Sequence, residues 1–241
     1  PGPTDVTVKI EATGVCHSDL HAMEGKLPQG APFVPGHEGA GVVEAIGPGV
    51  TRVVPGDHVA LNWAPSCGTC FYCLNDRPSL CTTYIEPIWA GTMMDGTTRL
   101  SKNGEPIYHF SSLACFADHS VVPEQCCVKI DSEVPLTVAA LIGCAVTTGV
   151  GAALNTAQVK PGSSVVVYGA GGVGLSIVMG ARLAGAATII VVDTNEQKGE
   201  IAKSFGATNI IMAGPNTIAA IQHLTEGRGA DYVFEAIGLP A

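Results

Sequence analysis

Charge and aromatic rings are both scarce in this chain. Of its 241 residues only 14% are charged and 5% aromatic, with two tryptophans. Basic residues are the scarcest charge: 12 Lys and Arg stand against 21 Asp and Glu, a net charge of −9 at pH 7. Binding to nucleic acid needs a basic footprint, so a nucleic-acid partner is not expected. Internal repeats, low-complexity tracts and coiled-coil heptads are also missing, which argues against solenoids and fibres. One uncharged run, residues 161–181, is long enough to cross a bilayer. It contains Pro161 and six glycines, however, and its apolar residues fall in two short runs split by a turn. That pattern argues for a strand and a helix in a protein core, with no membrane partner. A hydrophobic fraction of 46% supplies that core, in one large domain or two small ones.

Cysteine, by contrast, is plentiful, with nine residues. A disulfide framework suits short secreted chains. Here the spacing fits metal ligation in a reducing compartment, and hence a cytoplasmic location. Cys67, Cys70, Cys73 and Cys81 form a C-x2-C-x2-C-x7-C run, with Pro65, Gly68, Asn75 and Pro78 supplying turns among them. Four thiolates close a tetrahedron around zinc and leave no position for chemistry. Cys16, His37 and Cys144 are far apart, so their spacing proves nothing; two thiolates and an imidazole would nevertheless leave a fourth zinc position open. Their settings single them out. Cys16-His17-Ser18-Asp19-Leu20-His21 gathers polar groups, and Gly36-His37-Glu38-Gly39-Ala40-Gly41 sets an imidazole and a carboxylate among glycines. Cys115, Cys126 and Cys127 are expected to be packing residues.

The chain changes character part-way along. Up to residue 146 it reads as β-rich: Val6, Val8 and Ile10 alternate as on a half-buried strand, and residues 41–47 and 57–61 are short runs between turns. Residues 91–110 are polar and turn-rich, a predicted surface excursion. Helices are predicted around Ala139–Ile142 and from about Thr147 to Leu154. From there strands at 165–168, 188–192, 209–212 and 232–234 alternate with helices, which predicts a parallel sheet covered on both faces. The turn Gly169-Ala170-Gly171-Gly172-Val173-Gly174 follows the first of these strands and opens a helix, the context a dinucleotide fingerprint requires. Gly169 permits the turn, Gly171 and Gly172 let a pyrophosphate approach, and Gly174 allows close helix–strand packing. Asp193 closes the next strand; its carboxylate suits a ribose hydroxyl and repels a 2′-phosphate, which favours NAD over NADP. Only the first half of a doubly wound sheet is present, so the chain is expected to be a fragment lacking both termini.

The stretches Gly14–His21, Gly36–Gly41, Cys67–Cys81, Gly143–Gly149 and Gly169–Gly174, in this order, resemble the zinc-dependent alcohol dehydrogenases of the medium-chain dehydrogenase/reductase family. The insert after Cys81 resembles the longer members, including glutathione-dependent formaldehyde dehydrogenases. The resemblance implies an α/β plus β-rich fold. Residues 1–146 would form a GroES-like catalytic domain of β-barrel type with a structural zinc lobe at 66–82. Residues 147–241 would form the NAD-binding Rossmann domain, truncated. It implies a catalytic zinc on Cys16, His37 and Cys144, with Asp19 and Glu38 just behind the ligands and a structural zinc on Cys67, Cys70, Cys73 and Cys81. It also implies a proton path from Ser18 through the cofactor ribose to His21. His17 would contact the pyrophosphate, Lys198 the ribose, and Thr148 and Val173 the nicotinamide, while Trp63 would be either a pocket aromatic or a core residue. The expected reaction is reversible hydride transfer between a primary alcohol or aldehyde and NAD, in a homodimer or homotetramer. The alternatives are oxidation of S-(hydroxymethyl)glutathione and a non-catalytic zinc- or nucleotide-binding fragment.

Overall fold

The computed structural model describes residues 1–238 and divides into two compact units, Pro1–Cys144 and Ala145–Ala241. The last three residues of the expected second domain lie outside the described residues.

The first unit holds eight strands: β1 (Asp5–Thr13), β2 (Phe33–Val34), β3 (Gly39–Ile46), β4 (His58–Leu61), β5 (Leu100–Lys102), β6 (Glu105–His109), β7 (His119–Pro123) and β8 (Cys127–Lys129). Five pair antiparallel in the order β7-β1-β3-β4-β8. Along β1 the period of two is plain: Val6 and Val8 are fully buried, while Lys9 and Glu11 face water and pair with each other at 2.8 Å. Those valines share a core with Val43, Val59, Leu61, Leu113 and Val122, and with Cys115, Cys126 and Cys127. The three cysteines without a metal-like spacing are therefore small buried hydrophobes, and burial pushes the Cys127 thiol up to about 12.

Residues 91–110 run along the surface, as predicted, only in their middle. Their middle forms the β5–β6 hairpin across Asn103 and Gly104, both in the left-handed region. Their ends are anchored inside: Met93, His109 and Phe110 are 1%, 0% and 3% exposed. Composition counted the polar turn residues and missed that apolar residues at either end pin the excursion down. Arg99 completes the anchor. Its Nε donates to Oδ2 of buried Asp5 at 2.6 Å, a second guanidinium nitrogen pairs with Asp95 at 2.8 Å, and its backbone N–H donates to His109 Nε2 at 3.0 Å. That last bond makes Nε2 an acceptor, so His109 is neutral; burial and then the field of Arg99 lower its pKa to about 4. Arg99→Ala leaves the buried Asp5 carboxyl without its guanidinium partner. We expect a loss near the lower end of the roughly 3–5 kcal/mol seen when a buried pair loses one member, because Arg99 keeps 18% exposure. Urea unfolding of the variant measures it.

The second unit is a parallel sheet ordered β11-β10-β9-β12, from β9 (Ser164–Tyr168), β10 (Thr188–Asp193), β11 (Asn209–Met212) and β12 (Tyr232–Glu235). Alternate residues of β9 and β10 enter different cores. Val165, Val167, Ile189 and Val191 pack with Ile177, Val178 and Ala181 of the helix Gly172–Leu183. Val166, Ile190 and Val192 pack with Ile221 of the helix Thr217–Leu224. Burial on both faces is why these strands read as unbroken apolar runs. The uncharged stretch 161–181 is thus β9, a glycine turn and most of one helix. No single helix among the described residues is long and apolar enough to cross a membrane.

Candidate metal and cofactor sites

The cysteine lobe builds a cage from short, capped pieces. Cys70 stands at the N-cap of the helix Phe71–Leu74, and Cys81 at that of the helix Thr82–Ala90. At a helix start the unpaired N–H groups and the dipole favour a negative sulfur. The Cys67 sulfur accepts backbone N–H bonds from Thr69 at 3.4 Å and Cys70 at 3.3 Å, and the Thr69 hydroxyl, the largest influence, helps hold its thiol down to about 5. The four sulfurs lie within 4.8 Å of one another, with 3.9 Å from Cys67 to Cys73, 3.5 Å from Cys70 to Cys73 and 3.9 Å from Cys70 to Cys81. These separations are far from a disulfide's ~2.05 Å. They match the roughly 3.8 Å edge of a tetrahedron with zinc–sulfur bonds of about 2.3 Å. Tyr84, Ile88 and buried Cys81 form a small core here, against which Trp63 packs while also touching the core of the main sheet. The position of Trp63 is thus that of a packing residue joining lobe to sheet.

The second cluster is assembled by folding. Donor atoms of Cys16, His37, Glu38 and Cys144 lie within 4.8 Å of one another. Cys16 caps the helix His17–Met23, His37 and Glu38 directly precede β3, and Cys144 ends the turn Ala140–Gly143. Asp19, 1% exposed, ties the first two segments together. Its carboxylate accepts from the Cys16 N–H at 3.2 Å and the Gly36 N–H at 2.8 Å, and lies 3.1 Å from His37 Nδ1. Burial opposes ionisation of Asp19, but the His37 bond and these amides outweigh it and keep the carboxyl below its ordinary range. Held at Nδ1, the ring leaves Nε2 for a metal, the arrangement by which carboxylates orient histidine ligands. Burial lowers the pKa of His37, yet the bond to Asp19 foremost, and that to Cys16, raise it to about 9.

The donor set needs a cation. The Cys144 bond, first, and that of His37 lower the Cys16 thiol, while the same bond to Cys16, then burial, push Cys144 well above the ordinary range. Two thiols and the Glu38 carboxyl this close cannot all ionise unless a positive ion sits among them. Zinc, with its preference for sulfur and nitrogen, fits.

Two contributors escaped the sequence reading. Gly14 is required because a Cβ there would run into the Glu38 carboxylate, and the Phe110 ring meets the His37 ring edge-on at 5.4 Å and 83°. Gly14 was visible, but nothing local linked it to a carboxylate 24 positions on, and Phe110 sits at the buried end of a segment whose average is polar. Of the predicted proton carriers, Ser18 Oγ lies 3.7 Å from Cys16 Sγ, and His21 lies one turn beyond His17 on the same helix.

In the second unit the glycine turn forms a cradle. Gly169 has φ +94°, and a Cβ at Gly174 would strike the Gly169 carbonyl oxygen, whereas one at Gly171 meets nothing within 4 Å. The space a phosphate would fill is therefore open. The helix Gly172–Leu183 has no side-chain cap, so its first-turn N–H groups face that space. Asp193 does more than sit at a strand end: its carboxylate accepts from the Ala170 N–H at 2.8 Å and the Asn195 N–H at 2.8 Å, bracing the turn. Lys198 is exposed in the first turn of the helix Glu196–Phe205, close enough to help lower the Asp193 carboxyl. Thr148 is exposed on the helix Ala145–Gly151, and Val173 is half-buried at the start of the helix after the turn.

Comparison with known proteins agrees with both units. Residues 2–132 match the family described as alcohol dehydrogenase GroES-like domain, and residues 172–241 that described as zinc-binding dehydrogenase. S-(hydroxymethyl)glutathione dehydrogenase of Escherichia coli O1:K1 / APEC is 45% identical over 243 residues, covering 99% of this chain and 65% of that protein. Among solved structures, an alcohol dehydrogenase zinc-binding domain protein from Burkholderia ambifaria is 40% identical with a TM-score of 0.92. It covers 100% of this chain and 65% of that one. Benzyl alcohol dehydrogenase from Acinetobacter calcoaceticus is 38% identical with a TM-score of 0.90, at the same coverage. The chain thus spans 65% of the length of the curated relatives it matches. The first family match alone takes in more than half of the sequence, and the chain belongs to the zinc-dependent alcohol dehydrogenases of the medium-chain dehydrogenase/reductase family.

Proposed function

We propose that this protein is an NAD-dependent zinc alcohol dehydrogenase of the cytoplasm, acting on a primary alcohol or its aldehyde as a homodimer or homotetramer. The carrying observation is the convergence of Cys16, His37 and Cys144, remote in sequence, on one point with Asp19 behind the imidazole. Cys67, Cys70, Cys73 and Cys81 would hold a structural zinc. Cys16, His37 and Cys144 would hold the catalytic one, with Glu38 beside them. Bound zinc supplies Lewis acidity and NAD a hydride acceptor. The chain's residues do the rest. Asp19 fixes the His37 tautomer, and Ser18 takes the alcohol proton and passes it toward His21. Gly169 to Gly174 seat the pyrophosphate with His17, Asp193 and Lys198 hold the ribose, and Thr148 and Val173 flank the nicotinamide.

The seating of the pyrophosphate has its own test. Gly174→Ala forces the turn apart, an overpacking of about 1–3 kcal/mol. NADH affinity, followed by fluorescence, is expected to fall about 10–100-fold while zinc content stays unchanged.

The E. coli relatives favour a second substrate, S-(hydroxymethyl)glutathione. The insert after Cys81 supports it as well, while His21 favours the ordinary alcohol. NADH formation from ethanol and benzyl alcohol, compared with formaldehyde plus glutathione, separates the two. The assay uses this chain and a version extended to the relatives' length. Activity in neither, with zinc and NAD still bound, would leave only the non-catalytic reading.

A further inference from the structure

We propose that His17 and His21 form a third metal site, on the solvent side of their helix and separate from the two donor clusters. The helix His17–Met23 divides its faces sharply. Asp19 and Ala22 are buried, with Asp19 turned to His37, whereas His17 and Glu24 are exposed and His21 is half-buried. His17 and His21 are four residues apart, one turn along a single face, and their ring centroids are 6.0 Å apart at 42°. Glu24 follows three residues later and extends the stripe. Its carboxylate pairs with Lys26 at 2.7 Å. A pair of imidazoles at this spacing is the arrangement that lets a helix grip zinc in other settings. Two imidazole nitrogens suit Zn²⁺, Cu²⁺ or Ni²⁺ and not Mg²⁺ or Ca²⁺.

The consequence for activity rests on the proposed dehydrogenase reading. An ion held here would occupy the imidazoles assigned to the pyrophosphate and to the proton path, so excess metal would inhibit.

The binding is testable without substrate or cofactor, and so independently of that reading. Untagged protein with its zinc sites filled is titrated with Ni²⁺, which does not oxidise thiols, by calorimetry. One Ni²⁺ per chain is expected. His17→Gln and His21→Gln should each weaken it by about tenfold or more, a scale that even supporting residues carry at metal sites. Zinc content unchanged at two per chain in both variants shows that the fold and the cysteine clusters persist. No Ni²⁺ uptake by the parent, or full Ni²⁺ affinity in either variant, overturns the proposal.

Discussion

Cys144→Ser is expected to halve the zinc content, from two ions per chain to one, and to abolish turnover while leaving the fold intact. Cys144 ends the short turn Ala140–Gly143, outside every strand. Its sulfur is one of the four donor atoms that converge there, with those of Cys16, His37 and Glu38. A serine hydroxyl stays protonated where a thiol ionises, so the ion loses one of its two thiolate ligands. Loss of Lewis-acid assistance removes several kcal/mol of transition-state stabilisation, about three orders of magnitude in rate. Metal analysis, circular dichroism and NADH formation in the length-extended protein measure the three parts. A variant that keeps two zinc ions and normal turnover would refute the assignment of this residue. Asp19→Asn serves as a graded companion: it keeps the shape and weakens the hold on His37, on the scale of about 10–100-fold in metal affinity.

Cys81→Ser should show the opposite profile, with stability lost and chemistry spared at first. Cys81 is 4% exposed and belongs both to the four-sulfur cage and to the small core of Tyr84 and Ile88. Without the ion the lobe has little to hold it together, since Phe71 and Leu74 are 73% and 70% exposed and its helix Phe71–Leu74 is a single turn. A structural zinc in a small lobe supplies about 10–16 kcal/mol of apparent binding energy, most of it serving to order the chain. The variant is expected to lose one zinc, to be cleaved by protease between residues 66 and 82, and to melt at lower temperature. Trp63, packed between lobe and sheet, reports the change by fluorescence. The ion on Cys16, His37 and Cys144 should remain. Simultaneous loss of both ions would mean that the two clusters are not independent.

Much of this was legible in the chain, element by element. The four cysteines declared themselves because a zinc knuckle is local: its ligands lie within fifteen residues, and the turns between them are written in Pro, Gly and Asn. The parallel strands were equally plain, since burial on two faces demands unbroken valine and isoleucine; the strand Asn209–Met212 was expected where it is found. The helix Thr82–Ala90, interrupted by Pro87, went unseen. The excursion at 91–110 was legible in its exposed middle and not in its buried ends, because its average is polar while its anchoring residues are not.

Local chemistry alone therefore determined the cysteine cage, the glycine turn and the period of each strand, because those depend on residues close along the chain. Only folding decided that Cys16, His37 and Cys144 share a point, that Asp19 both braces a helix start and grips an imidazole, and that Gly14 must lack a side chain so that Glu38 can lie over it. Those contacts join segments separated by tens of residues. Their spacing carries no signal, and the energy that brings them together comes from sheet pairing and core burial elsewhere in the unit.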